Sequence, residues 1–173
     1  MTTTITSRAA AASDRLSLRL WLQLMKCTRT IEASVGGRLR RRHNQSLARF
    51  DVLSQLHRFG DDWATVGEIA DRVMATSGNI TALLDRMEAD GLVVRRASPN
   101  DRRSYQVRMT ERGRALFDDM TDDHARWIGT ALAGIDDRDK ERLIALLIDI
   151  RRTFEEGPPG TAEETTAATG RRK

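Results

Sequence analysis

The chain has 173 residues, 39% hydrophobic and 31% charged, enough for one domain with a real hydrophobic core and typical of a globular protein. No run approaches the ~20 apolar residues of a membrane helix, and the Thr- and Ala-rich start, with Arg8 as its single basic residue, lacks the apolar heart of a secretion signal, so a cytoplasmic protein without a membrane partner is expected. One cysteine, Cys27, excludes an internal disulfide framework, and a net charge of +4 with a pI near 9.9 favours a polyanionic partner.

In chain order, residues 1–13 have little to bury and are expected to be disordered. From Asp14 to about Arg42, Leu16, Leu20, Leu24, Ile31, Val35 and Leu39 recur at helical spacing. Gly36 and Gly37 each cost about 1 kcal/mol in a helix interior, which predicts a kink or a loosened last stretch. A second helix is predicted from Ser46 to Arg58, with Phe50, Leu53 and Leu56 inward, before Gly60, Asp61 and Asp62 break the pattern. Thr65 and Glu68 have the spacing of a capping box, so a short helix starts near Val66 and buries Ile69, Ala70 and Val73. After a brief turn, Thr76 or Ser77 can cap another helix, whose stripe is Ile80, Leu83, Leu84 and Met87. Gly91 stops it, with Leu92 placed to pack back on Met87.

The apolar period then falls from 3.6 to 2. Leu92 to Val94 read as a strand, Ser98 to Asp101 as a turn, and Tyr105, Val107 and Met109 as the returning strand. Thr110 can cap a helix carrying Leu116, Met120, Trp127, Ile128 and Leu132. A last helix from about Asp136 is expected to bury Leu143, Leu146, Leu147, Ile150 and Phe154. Residues 156–173 contain a GPPG run at 157–160, end on Arg171, Arg172 and Lys173, and are expected to be a disordered tail.

Helix, turn, helix, strand, basic turn, strand is the order of a winged helix, so the expected fold is mainly α with a small β-hairpin wing. The second helix of such a pair enters the major groove. It needs an apolar face for its own domain and an opposite face of short polar residues. Thr76, Ser77, Gly78, Asn79 and Thr81 supply the latter: Asn can read adenine, Thr offers a hydroxyl or a methyl, and the helix start favours a phosphate. Arg86, further along, is a candidate phosphate or base contact. At the turn, Arg102 and Arg103 suit insertion into a narrow minor groove, and Asp101 can fix the loop by accepting hydrogen bonds. From Arg86 to Arg114 arginines 86, 95, 96, 102, 103, 108, 112 and 114 face only four acids, so that stretch holds as much net charge as the whole chain.

These residues resemble the MarR (multiple antibiotic resistance regulator) family of winged helix-turn-helix transcription regulators. The resemblance is carried by Gly67-Glu68-Ile69-Ala70, Ser77-Gly78-Asn79-Ile80-Thr81, Leu84-Asp85-Arg86-Met87-Glu88, Gly91-Leu92-Val93, the wing signature Asp101-Arg102-Arg103 and Met109-Thr110-Glu111-Arg112-Gly113. It implies one domain over 14–155, with dimerisation helices at 14–45 and 111–155 around a DNA-binding lobe at 46–110. It further implies a homodimer on a pseudo-palindromic double-stranded operator, and a repressor released by a small aromatic or phenolic acid. The terminal helices independently carry more apolar surface than a small winged helix can cover. The run Ala48 to Leu53, with Ser77-Gly78-Asn79, looks like members that control aromatic-acid breakdown, so an acid or its coenzyme A thioester is the expected effector.

Trp21, Met25, Arg49 and His57 are candidate effector ligands, because an anionic aromatic molecule wants an apolar slot and a cation; the plainer reading makes Trp21 and Met25 interface core and pairs Arg49 with an acid. An oxidant-sensing thiol at Cys27 is an alternative, weakened by the single tyrosine, Tyr105, which lies far along the chain. Docking and architectural roles are further alternatives; the docking role predicts apolar or acidic recognition faces and no basic wing. His43, His57 and His124 have no metal-ligand spacing, and no phosphate-cradling loop or nucleophile elbow stands out. No cofactor, metal or enzyme activity is expected.

Overall fold

A computed structural model of the chain describes residues 2–73, 80–99 and 104–157, with side chains from Asp14 onward. Its elements are α1 (Thr2–His43), α2 (Leu47–Arg58), β1 (Ala64–Thr65), α3 (Val66–Arg72), α4 (Ile80–Ala89), β2 (Val93–Ala97), β3 (Tyr105–Met109), α5 (Glu111–Ala131) and α6 (Asp137–Glu156). They form two compact units, Met1–Trp127 and Ile128–Lys173.

In the first unit α1 begins at Thr2, so the disordered start expected for residues 1–13 is replaced by helix. The run Ala9 to Ala12 has the highest helix propensity of any residue type and explains the extension. Nor does α1 break at its glycines. It passes through Gly36 and Gly37 unbroken, because buried Val35 and Leu39 anchor the turns on either side. Gly36 faces α2, where a Cβ would make an ordinary contact with Leu47 Cβ at 3.8 Å. The stop comes instead at Asn44, in the left-handed region with φ 54°, where Gln45 N–H donates to Leu39 O at 3.3 Å.

Ser46 caps α2 by accepting from Arg49 N–H at 3.2 Å. Val52, Leu53 and Leu56 enter the core; Phe50 is half-buried and stacks on Phe117 of α5 at 5.7 Å. The core is built from Leu39, Leu53, Leu56, Ile69, Leu84, Met87, Val93, Val107 and Met120, which joins α1 to α5 through the winged lobe. Two expectations fail locally. Ala70 is exposed, because the seven residues of α3 bury only Ile69. Residues Ala64 and Thr65 form a third strand that no alternation could announce at this length.

The sheet is antiparallel in the order β1-β3-β2. Ala64 pairs with Val107, and Val93, Arg95 and Ala97 pair with Met109, Val107 and Tyr105. Its hydrophobic face packs inward through Ala64, Val93, Val107 and Met109. Thr110 locks the sheet to α5. Its hydroxyl donates to Gly91 O at 2.7 Å and accepts from Gly113 N–H at 3.0 Å. Gly113 is required there, since a Cβ would collide with the Leu92 carbonyl oxygen.

In the second unit Asp136 caps α6, accepting from Asp139 N–H at 2.8 Å. The helix starts where the sequence places it, but Leu143, Leu146, Leu147 and Phe154 are exposed and none of its residues is buried. One copy of the chain does not supply the surface these side chains were expected to meet.

Candidate nucleic-acid interface

α3 is fixed by a complete capping box. Thr65 N–H donates to Glu68 Oε2 at 2.7 Å, and Glu68 N–H donates to Thr65 Oγ1 at 3.2 Å. The backbone hydrogen bond from Thr65 holds the Glu68 carboxyl below its ordinary pKa. α4 follows with Leu84 and Met87 buried, Ile80 and Leu83 half-buried, and Thr81, Asp85 and Arg86 exposed. Of the residues predicted to touch DNA, Thr81 and Arg86 therefore share the solvent side of α4. Thr76, Ser77, Gly78 and Asn79, and the wing-tip residues Asp101, Arg102 and Arg103, lie outside the described residues. Ser98 N–H donates to Ser104 O at 2.9 Å and closes the hairpin below that tip.

The end of α4 is held twice. Gly91, at φ 69°, completes a Schellman stop in which Leu92 N–H donates to Met87 O and Gly91 N–H to Glu88 O, both at 2.9 Å. Arg95 of β2 then reaches back to the helix. It meets Glu88 Oε2 at 2.8 and 2.7 Å, and Asp85 Oδ1 at 2.5 Å. Burial works against the charge on Arg95, but the hydrogen bonds to Glu88 and Asp85 outweigh it and hold the guanidinium still more firmly protonated. This clamp, which sequence reading missed, ties α4 to β2. The signal for it was Glu88 seven residues ahead of Arg95, across a predicted helix stop.

The basic stretch thus divides into different jobs. Arg95 is internal, and Arg114 pairs with Asp61 at 2.8 Å. Arg96 and Arg108 lie over the Trp63 ring, their Cζ atoms 4.0 and 4.9 Å from its centroid. Arg86 stands exposed.

The four candidate effector ligands are not drawn into one cavity. Arg49 forms an ion pair with Asp90 at 2.7 Å, as the plainer reading had it, and donates to Gln45 Oε1 at 3.1 Å. It lines a cavity of about 360 Å³ with His43, Asp90, Leu92, Arg112 and Leu116. Trp21 and Met25 are 49% and 41% exposed on α1, and His57 is exposed with its ring 5.0 Å from Phe117. Cys27 is exposed on the same helix.

A family profile described as MarR family matches residues 44–104, which spans α2, the helix pair and most of the wing. The chain is also 30% identical over 131 residues to the HTH-type transcriptional regulator MhqR of Bacillus subtilis, covering 76% of this chain and 88% of that protein. The chain belongs to the MarR family. Another MarR-like relative is the transcriptional activatory protein BadR of Rhodopseudomonas palustris, 29% identical over 94% of this chain and 93% of its own length. The crystal structure of a MarR family regulator from Silicibacter pomeroyi superposes with a TM-score of 0.69 at 26% identity, over 81% of this chain and 96% of that one. The protein is accordingly a DNA-binding transcription regulator of a non-enzymatic class. No helix among the described residues is long and apolar enough to cross a membrane.

A second polar cluster escaped sequence reading in this MarR-family chain. The nearly buried Asp123 carboxylate receives His43 Nε2 at 2.9 Å, Arg42 Nε at 3.3 Å and the Arg126 guanidinium. Burial pushes its pKa up, but His43, Arg42 and Arg126 outweigh that and hold it below the ordinary carboxylate range. Nothing in local spacing links Arg42 and His43 at the end of α1 to Asp123; only the fold brings that residue, some 80 positions later, against them.

Proposed function

We propose that the protein is a homodimeric, sequence-specific repressor that leaves its operator when a small aromatic acid, free or as its coenzyme A thioester, occupies the cavity at Arg49. The observation that carries this reading is the Arg49–Asp90 ion pair. Asp90 is the residue that follows α4, so the pair ties the cavity wall to the end of the DNA-reading helix. An aromatic carboxylate would rest on Leu92 and Leu116, compete with Asp90 for Arg49 and gain Arg112 as a second cation. The end of α4 would then lose one tether. Because a ligand shifts an equilibrium only by its differential affinity for two states, breaking a contact present in only one of them is a sufficient lever.

Base reading is assigned to Thr76, Ser77, Gly78, Asn79 and Thr81 with Arg86, and minor-groove contact to Arg102 and Arg103 positioned by Asp101. Leu16, Leu20 and Trp21 exposed on α1, and Leu143, Leu147 and Phe154 exposed on α6, support the homodimer, since each of these helices leaves large apolar side chains in water. Trp21 and Met25 then belong to the subunit contact. The cytoplasm is the compartment in which such a regulator meets its operator.

The test is selection of bound sequences from a random duplex pool at ~150 mM salt, where non-specific attraction is suppressed. Enrichment of a palindrome with half-sites about 10 base pairs apart is expected. Single-ring aromatic carboxylates and their thioesters should release the wild type from that duplex and leave Arg49→Gln bound. No enrichment overturns the dimeric reader, and equal release of both proteins overturns the role of Arg49.

A further inference from the structure

The outer face of the three-stranded sheet carries a binding feature outside the recognition helix and the wing tip. Strand alternation sends Ala64, Val93, Val107 and Met109 into the core, so Val94, Arg96, Gln106 and Arg108 lie on the opposite side. Trp63 precedes β1 at the level of Arg108 and is half-buried. Its indole sits under both guanidinium groups, at 4.0 Å from Arg96 and 4.9 Å from Arg108. Arg96 Nε also donates to Gln106 Oε1 at 3.0 Å.

The contrast with neighbouring arginines is informative. Arg95 meets two carboxylates, and Arg114 meets Asp61. Among the described residues Arg96 and Arg108 meet none; an aromatic ring holds them and leaves their charge uncompensated. A guanidinium stacked on indole is less hydrated and has fewer rotamers left to lose, which favours a phosphate over water as its next partner. β2 ends at Ala97 and β3 begins at Tyr105, so this face lies on the two strands that bound the wing-tip segment in sequence.

We infer that Arg96 and Arg108 are contacts to the DNA backbone flanking the groove entered by the wing, and that Trp63 and Gln106 are positioning residues that hold them ready. The inference rests on the DNA-binding activity of the family and not on the effector reading.

The experiment is fluorescence anisotropy of the full chain on a 30-base-pair duplex of arbitrary sequence, between about 50 and 200 mM salt. Each phosphate contact contributes about 0.9 to the slope of log affinity against log salt. Arg96→Ala and Arg108→Ala should each lower the slope by about that amount, while Arg151→Ala, on α6, leaves it unchanged. Trp63→Phe should keep the wild-type slope, and Trp63→Leu should lose it. Adding Arg96→Ala to Trp63→Leu should then cost little more, because the two act on one contact. Far-UV circular dichroism and thermal melting establish that each variant is folded.

Unchanged slopes in folded Arg96→Ala and Arg108→Ala overturn the inference and leave this face to an acidic protein partner. Additive losses from Trp63→Leu and Arg96→Ala overturn the positioning role. A slope lowered by Arg103→Ala but not by Arg96→Ala sinks this inference and spares the wing-tip reading.

Discussion

At Gly113 a single hydrogen atom is all that fits between α5 and the Leu92 carbonyl, with Met109 Cγ only 2.9 Å from where a Cβ would stand. Gly→Ala inside a helix ordinarily gains about 1 kcal/mol. Overpacking against a backbone carbonyl that cannot swing away costs about 1–3 kcal/mol, so the penalty wins. With the obstacle a backbone carbonyl, the cost falls at the upper end of that range, so Gly113→Ala is expected to destabilise by up to ~2 kcal/mol net, read as a lower midpoint in urea. Asp123 is the second residue whose environment decides its behaviour. Its folded pKa is depressed, so its contribution to stability is present above the unfolded value of about 4 and is lost as pH falls through the lower folded value. Asp123→Asn should lower Tm at pH 7 and melt like the wild type near pH 2; a constant gap across that range would refute the electrostatic account. In the sequence the glycine stood out only within the Met109-to-Gly113 run that carries the family resemblance, without its contact to Leu92. Sequence spacing could not reveal Asp123, whose partners Arg42 and His43 are brought to it only by the tertiary fold.

At the scale of elements, what could be read was what is local. The capping box, the Ser46 and Asp136 caps and the Schellman stop at Gly91 each need only a few residues, and each forms as the spacing demands. What could not be read was whatever packing overrides. Two glycines inside α1 cost about 2 kcal/mol in propensity, yet burial of Val35 and Leu39 at their flanks carries the helix through. β1 has two residues and exists because β3 offers it an edge. The Arg95 clamp to Glu88 and Asp85 needed knowledge that the chain doubles back after Gly91. Under the proposed base reading, the clamp holds the end of α4 to β2 while the short side chains of residues 76–81 meet the bases. Asn79→Ala should therefore reduce discrimination by about 1–3 kcal/mol at one base pair of the half-site, while affinity for arbitrary duplex is kept. Competition between matched and mismatched duplexes measures this. Equal weakening on every sequence would remove Asn79 from base reading and make it a helix-start residue alone.

Over the whole molecule, the helices at the chain's two ends were read as apolar and as the subunit contact, and in a single copy α6 leaves its large apolar side chains exposed. Periodicity reports which side chains avoid water, not which chain supplies the cover. On α6, Leu143 and Leu147 are 48% and 40% exposed and Phe154 is 80% exposed, while no residue is buried. A 20-residue amphipathic helix gains most of its stability from packing that face. Fully covering one such Leu is worth about 2 kcal/mol, so a handful from each copy suffices for a stable two-fold contact. Replacing Leu143 and Leu147 by Asp puts charges where that contact requires dry surface. The double variant should sediment as a monomer at micromolar concentration, with α2 to β3 still folded, because their core of Leu53, Leu56, Ile69, Leu84 and Val107 is built within the first unit. Its affinity for a palindromic operator should fall at least 100-fold, toward that of a single half-site, while contacts within each half-site persist. A variant that stays dimeric with unaltered operator affinity would place the subunit contact elsewhere, and the exposed face of α1 around Leu16, Leu20 and Trp21 would then have to carry it.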